Sequence, residues 1–303
     1  MNRIAIFVAL LVLISPAPAT AQTLLRWKLK TGDSLAVDVS KQTQTQVDLN
    51  GKSAITKIDL AMHLAWQVTT ADERAIHVKQ TIDQIRATLS TPAGTAEFDS
   101  SDKTRAAGLA KKLAESLQPL IGAEMDVIFT PRGEVESAAP ANDLAQKLLA
   151  KTDTKLDDPA AAPRDSLVSL LSQSILQLPE KAVSPGDHWT IERQIPSDSG
   201  SLKLETSYAL EKILDQDNST IAKIKTSARL IQEPPPGQKA PGAVRILSNE
   251  QTGSASFAIH EGRPLEVAQN QLLKTQRTYR DATIDVTLES HTNTMFRAGD
   301  EKK

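Results

Sequence analysis

Strict alternation of apolar and polar side chains over a long segment constrains the fold of this chain more than any other feature. From Ile58 to Val68 every second residue is large and apolar, and the residues between them are polar or small. Because successive side chains of a β-strand point to opposite faces of its sheet, this period of two predicts a strand with one buried face. The alternation resumes after a turn at residues 71–73 and changes phase near Asp83 and Gln84, which indicates a β-bulge.

The length of these runs predicts a curved sheet. A strand of about 16 residues is about 50 Å long, and sheets of such strands must twist and coil strongly. The pair Asn50-Gly51 favours a tight hairpin turn. Alternating runs around Leu35, Leu204 and Ile284 predict further strands in both halves of the chain. We therefore expect long, strongly curved antiparallel sheets.

Three segments with helical spacing of apolar residues complete the fold class. Residues 102–120 form one apolar stripe, with Ser101 or Asp102 as the N-cap, and residues 164–178 form a second. Residues 142–150 have the pattern of a shorter helix. The sequence thus predicts a mainly β protein with α (α+β), in which two to three amphipathic helices pack against the curved sheets.

The chain is predicted to divide into five parts. Residues 1–21 have the layout of a secretory signal peptide, with a basic start, eleven apolar residues and a cut after Ala21. Eleven apolar residues are fewer than the roughly 20 that a permanent membrane anchor needs. A first β segment with helices (22–151), a linker (152–162), a helix with a second β segment (163–296) and a frayed tail (297–303) follow. We therefore expect a periplasmic or secreted protein without stable membrane insertion.

Two pairs of short motifs suggest an internal repeat. Gly32-Asp33 precedes the first β segment, and Gly186-Asp187 precedes the second, 154 residues later. Phe129 and Phe257 each lead into a turn that contains glycine, and they are 128 residues apart. Because the two offsets differ, tandem duplication and chance similarity both remain open.

The same motifs resemble those of an exported bacterial β-rich family of unknown function. Its members open with Trp-x-x-x-x-Gly-Asp, as at residues 27–33, and carry a mid-chain Pro-Gly-Asp-x-Trp, as at residues 185–189. His188 stands where the family more often has a small polar residue. The resemblance implies an exported β-rich architecture and supplies no catalytic residues.

Composition and motifs argue against most enzymatic and nucleic-acid chemistry. The chain has no cysteine, and its five histidines lack a spacing that brings two onto one metal. A G-x-S-x-G nucleophile elbow is absent. A net charge of −2 and only ten aromatic residues (three Trp, two Tyr and five Phe) do not suit a nucleic-acid binder. We predict no catalytic residue, metal or cofactor.

Two functional hypotheses follow, and both are non-enzymatic. In the first, the curved sheet and the helices hold an apolar small molecule or lipid between them, by analogy with lipoprotein carriers. The candidate lining residues, each of which also suits an ordinary core, are Met62, Leu64, Trp66, Leu113, Leu117 and Leu171. In the second, the chain is a structural or interaction protein of the cell envelope, without a ligand, whose exposed strand edges or polar sheet face bind another envelope protein. An enzyme would require a buried Asp187-His188 pair beside a nucleophile.

Overall fold

A computed structural model describes residues 22–102, 107–144, 146, 175–197, 200–216, 218–233, 244–279 and 282–299. The predicted signal peptide and linker lie outside these ranges.

One antiparallel sheet contains all the strands of the described residues. Its order is β6-β5-β3-β2-β1-β12-β11-β10-β9-β8-β7, with β4 paired to β3 beside this path. Residues from both predicted β segments therefore belong to the same sheet, and β1 pairs with β12 at its centre. The strands are β1 (Ser34–Leu49), β2 (Lys52–Ala71), β3 (Ile76–Thr91), β4 (Gly94–Asp99), β5 (Glu124–Phe129), β6 (Val135–Pro140), β7 (His188–Ser197), β8 (Gly200–Gln216), β9 (Ser219–Glu233), β10 (Val244–Ala258), β11 (Arg263–Tyr279) and β12 (Ala282–Ala298).

Local features of the β1–β3 meander agree with the sequence. Asn50 and Gly51 connect β1 to β2 with φ angles of 50° and 76°, the left-handed conformation that this pair favours. His63 pairs with Gln84 and Leu64 with Ile82, so Asp83 has no partner across the strands. The predicted bulge is therefore confirmed, and it lets both halves of β3 direct apolar side chains to the same face.

The prediction of two to three amphipathic helices is wrong for the described residues. These contain one α-helix with defined bounds, α1 (Gly108–Leu117), which a 3-10 turn at Gln118–Leu120 extends. Its N-cap is Ala107, which makes no side-chain capping bond, and not Ser101 or Asp102. Asp143, Leu144 and Gln146 are helical, and the rest of the predicted 142–150 helix lies outside the description.

The prediction of a second helix, over residues 164–178, is wrong for its described part. Ile175, Leu176, Gln177 and Leu178 are all buried and are not helical. The amide of Leu178 donates to the carbonyl of Arg132 at 2.7 Å. Complete burial explains the error, because spacing alone cannot distinguish a short apolar run buried on all sides from a helix. Residues 164–174 lie outside the described part of the chain.

The face of the sheet that bears the core, here called the apolar face, curls around Trp27. This side chain is 2% exposed. Its ring contacts four aromatic rings that belong to β2, β5, β10 and β12, namely Trp66, Phe129, Phe257 and Phe296, at centroid distances of 5.2 to 6.4 Å. Strands this far apart in the sheet can reach one indole only if the apolar face is concave. We call the end of the sheet around Trp27 the closed end.

Two extended segments fill the closed end. Trp27 donates its backbone N–H to the carbonyl of Pro131 at 2.8 Å and its indole N–H to that of Leu176 at 2.9 Å. Thr23 and Val183 form an isolated β-bridge. The segment before β1 and the segment before β7 thus bond to each other and to the β5–β6 turn. These bonds satisfy polar backbone groups that would otherwise be buried without partners.

The two Gly-Asp turns have the same geometry. Gly32 and Gly186 have φ angles of 93° and 97°. In each turn the aspartate carboxylate accepts the backbone N–H three residues upstream, at 2.7 Å. Gly32 N–H donates to Val68 at the end of β2, at 2.9 Å, and Gly186 N–H donates to Leu210 of β8, at 2.7 Å.

The equivalence extends through the strands that follow. A register shift comes directly after Val68 and directly after Leu210. Val68 and Leu210 each have a partner on the next strand, and that partner in turn pairs with a residue of β5 or of β10. Phe129 and Phe257 lie at the same distance along the chain from the residues reached in β5 and β10. The strand groups β1-β2-β3-β5-β6 and β7-β8-β9-β10-β11 therefore have the same order of pairing, with equivalent turns and register shifts. Strand β12 lies between them and joins them.

Candidate functional site

Apolar side chains continue along the apolar face beyond the buried core. Val39 is buried, whereas Val47 on the same face of β1 is half-buried and Leu49 is 40% exposed. Neighbouring strands behave alike, and Ile58 of β2 is also 40% exposed. We call this region the open trough, and it consists of Val47, Leu49, Ile58, Leu60, Leu273, Ile284, Val286 and Leu288.

On β1, β11 and β12 a belt of polar residues separates the open trough from the core. Lys41 lies on the apolar face of β1, directly opposite Leu60 of β2 and Thr292 of β12. The other members of this polar belt are Thr43, Gln269, Gln271, Ser290 and Thr292. Burial lowers the pKa of Lys41 below its usual value, because removal from water disfavours the charged amine.

Charge is distributed unequally between the two faces of the four central strands, β1, β2, β11 and β12. The charged residues on the apolar face are Lys41, Lys52 and Arg277, all of them cations. The carboxylates of these strands all lie on the opposite, polar face, and they are Asp38, Asp48, Asp59, Glu266, Asp285 and Glu289. An anionic group would therefore meet only positive charge on the apolar face of these strands.

The residues predicted to line a cavity separate into three groups. Met62, Leu64 and Trp66 belong to the buried core at the closed end, with exposures of 5%, 0% and 1%. Leu113 and Leu117 lie on α1, beside β4, and pack half-buried against the core. Leu171 lies outside the described residues. Ligand lining by these residues stays a prediction, and the open trough was not identified from the sequence.

The polar face carries a cleft of about 1680 Å³ near the closed end. Its lining is strongly charged and includes Lys28, Lys30, Arg263, Asp33 and Glu261. Lys28 Nζ donates to the carbonyl of Ile259 at 2.9 Å. A hydrogen bond from Ser219 lowers the pKa of Glu261, so this carboxylate stays ionised at neutral pH. Such a mixed, hydrated lining does not suit an apolar ligand.

The aspartate and histidine groups singled out in the sequence have structural partners. His63 Nδ1 lies 2.8 Å from Asp38 Oδ1, and Asp38 also bonds to Arg297. The carboxylate of Asp187 accepts the backbone N–H of Ser184 within its own turn. Trp189 stacks on Tyr208 with ring centroids 5.2 Å apart, and burial raises the pKa of Tyr208 to about 12. Among the described residues no group of three histidines or carboxylates could hold a metal ion.

Gln80 is the most unusual buried polar side chain in the core. It is 1% exposed, and neither its amide oxygen nor its amide nitrogen has a hydrogen-bond partner. A buried amide without partners costs about 1–3 kcal/mol. We therefore expect Gln80→Leu to raise the free energy of unfolding by about 1–2 kcal/mol in urea titrations. A fall of similar size would contradict this prediction. Gln67→Leu, on the polar face of β2, is the contrasting control, because it removes an amide bonded to Ser34 and Gly32 and should not raise the free energy of unfolding.

Fold and site together define a curved antiparallel-sheet protein whose concave face is filled at one end and open at the other. The chain belongs to a family of unknown function (DUF6263), whose model matches residues 73–258. This range is more than half of the chain and includes Gly186-Asp187 but not the opening motif at residues 27–33. No curated protein sequence matches the chain.

Solved structures show similarity of fold at very low sequence identity. A structure of lipovitellin, described as showing lipid–protein interactions, is 9% identical with a TM-score of 0.51. The similarity covers 91% of this chain and 26% of the lipovitellin chain, so this chain spans about a quarter of lipovitellin. The COG4313 outer membrane channel from Pseudomonas putida F1 is 10% identical over 93% of this chain and 100% of its own, with a TM-score of 0.25. A score this low carries no argument. In the described residues, no helix is both long enough and apolar enough to cross a membrane.

Proposed function

We propose that this chain is an exported, non-enzymatic protein that binds an apolar ligand, such as a lipid, in the open trough. One observation carries the proposal. The same sheet face that forms a densely packed core at the closed end continues as half-exposed apolar side chains at the other end. Exposed contiguous apolar surface is rare in soluble proteins and marks binding sites when it occurs.

Two further observations support this proposal. The fold is similar to that of lipovitellin, whose solved structure is described as showing lipid–protein interactions. Residues 1–21 have the pattern of a secretory signal peptide, which is compatible with a function in the periplasm or outside the cell.

Mass spectrometry of the protein purified from an envelope fraction tests this function. We expect a stoichiometric apolar molecule in the native mass that disappears after organic extraction. The extracted protein should then take up the fluorescent apolar probe N-phenyl-1-naphthylamine. A clean apo mass together with no uptake of the probe would exclude an apolar ligand.

A pair of adjacent variants locates the ligand. Val286 and Thr287 are neighbours on β12 that face opposite sides of the sheet. Val286→Glu places a charge in the open trough and is expected to weaken probe binding roughly tenfold or more, since a hydrated carboxylate replaces an apolar contact in the site. Thr287→Glu adds the same charge to the polar face and should bind like the parent protein. Equal effects would place the ligand elsewhere.

A second candidate function, strand-mediated binding of another envelope protein, is favoured by the outer strand β7. Strand β7 follows its Gly-Asp turn as β1 follows the equivalent turn, and β1 pairs on both sides, with β2 and β12. Among the described residues β7 pairs with β8 alone. Glu192 of β7 stands five residues after its Gly-Asp turn, as Asp38 does in β1, where Asp38 bonds to Arg297 of β12. Glu192 also pairs with Lys203 of β8 at 2.7 Å, as Asp38 contacts His63 of β2. The edge of β7 that has no strand partner among the described residues therefore suits an antiparallel strand whose cation shares Glu192.

A peptide with the sequence of residues 290–299 tests this second candidate, because it copies the part of β12 that pairs with β1. We expect it to bind the full chain, and Glu192→Lys to weaken the binding roughly fivefold to tenfold. A peptide with Arg297→Glu should recover affinity for the Glu192→Lys protein. Methylating the backbone nitrogen of every second peptide residue should abolish binding when those nitrogens face β7. Methylating the other set of nitrogens should leave binding unchanged. If neither the charge changes nor the N-methylation alters peptide binding, strand addition at β7 is contradicted.

A further inference from the structure

The polar belt of the apolar face interrupts a surface that is otherwise suited to acyl chains. Lys41 is its one charged member, and its direct cross-strand neighbours are Leu60 and Thr292. The surroundings contain no carboxylate on this face of the four central strands. Partial burial of an amine without an opposite charge is unfavourable, and the lowered pKa of Lys41 has desolvation as its cause.

We propose that Lys41 binds the anionic head of a single-chain amphiphile, with the carboxylate of a long-chain fatty acid as the specific ligand. This inference rests on the proposed function and names the ligand class of the same trough. The acyl chain extends from Lys41 over Ile58, Val47 and Val286 toward the open end. The carboxylate pairs with the Lys41 ammonium and accepts hydrogen bonds from hydroxyls of the belt.

Three features of the site favour a carboxylate over a larger head group. The belt supplies one cation, which matches the single charge of a carboxylate better than the nearly double charge of a phosphate monoester. Thr43, Ser290 and Thr292 lie on the same face and provide short hydroxyl donors around it. The belt also adjoins the filled core, since Val39 and Thr294, one step further along β1 and β12, are buried. A compact head fits this position, with its chain directed away from the core.

Paired ligands and paired variants test the inference. Binding of oleate and of oleyl alcohol, which share one chain and differ in charge, is measured by calorimetry on the full mature protein. We expect the parent protein to prefer oleate. We expect Lys41→Met to weaken oleate roughly tenfold to hundredfold, as loss of a charged hydrogen bond would, and to leave oleyl alcohol unchanged. Lys57→Met, which removes a lysine from the polar face of β2, is the matched control and should bind oleate normally.

The possible failures are distinguishable. If neither amphiphile binds the parent protein, the proposed function falls and this inference falls with it. If both bind alike, or if Lys41→Met weakens both equally, the trough binds apolar chains without recognising the anion, and only this inference is overturned. Preference for vesicles of phosphatidylglycerol over oleate would likewise overturn the choice of a carboxylate. Circular dichroism of Lys41→Met checks that the fold is retained.

Discussion

Replacing Trp27 with alanine is expected to lower the free energy of unfolding by about 3–5 kcal/mol, measured by urea denaturation. The side chain is 2% exposed and touches four other aromatic rings, so its removal leaves a cavity that several strands would have to close. It also removes the donor to the Leu176 carbonyl, which is then buried without a partner.

Two variants separate these contributions. Trp27→Phe keeps most of the ring contacts but loses the indole N–H, and we expect a loss of about 1–3 kcal/mol. Trp189→Ala removes a half-buried indole that stacks on Tyr208 and should cost less, about 1–2 kcal/mol. Equal costs for Trp27→Ala and Trp189→Ala would show that Trp27 is not the centre of the core.

The second large effect is expected at Gly133, in the turn between β5 and β6. Its φ angle is 81°, a left-handed conformation that costs other residues about 1–2 kcal/mol. A Cβ placed there would lie 2.1 Å from the carbonyl oxygen of Leu176, which belongs to the backbone and cannot turn aside. We expect Gly133→Ala to lower the free energy of unfolding by about 2–5 kcal/mol.

Gly32 provides the matched control for this prediction. Its φ angle of 93° is similar, yet a Cβ there meets nothing within 4 Å. Gly32→Ala should therefore cost only the conformational term, about 1–2 kcal/mol. The difference between the two variants measures how closely the segment before β7 approaches the β5–β6 turn. If the two costs are equal, that approach is looser than the distance of 2.1 Å indicates.

The strands and their curvature could be predicted from the sequence because the evidence for them is local. Alternation from Ile58 to Val68 identifies both the strand and its buried face, and the change of phase at Asp83 identifies the bulge. The extended segment at residues 175–178 could not be predicted, because its burial comes from Trp27 and the β5–β6 turn. Those partners are more than forty positions away in the sequence, and no periodicity reports contacts at that range.

The candidate site was harder to predict than the fold for a related reason. Alternation distinguishes the two faces of a strand, but it gives no information on how far along the strand the core extends. Met62 and Ile58 occupy equivalent positions in the pattern, yet one is 5% exposed and the other 40%. The difference depends on which end of the sheet is filled by the segments before β1 and β7. The sequence does indicate a cation on the apolar face, because Lys41 continues the pattern of every second residue set by Leu35, Val37 and Val39.

The matching strand groups on either side of β12 have a consequence for the width of a sheet built in this way. Each strand adds about 4.8 Å to the width of a sheet, so one further five-stranded copy would lengthen its perimeter by about 24 Å. No new packing arrangement is needed for that increase, because every copy brings its own turns and bulges. Each copy would also bring the extended segment that precedes its Gly-Asp turn, and in this chain both such segments pack at the closed end. In a molecule built this way, the perimeter of the concave face is set by the number of strand groups, while the charge of that face is set by the few polar side chains that interrupt its apolar surface.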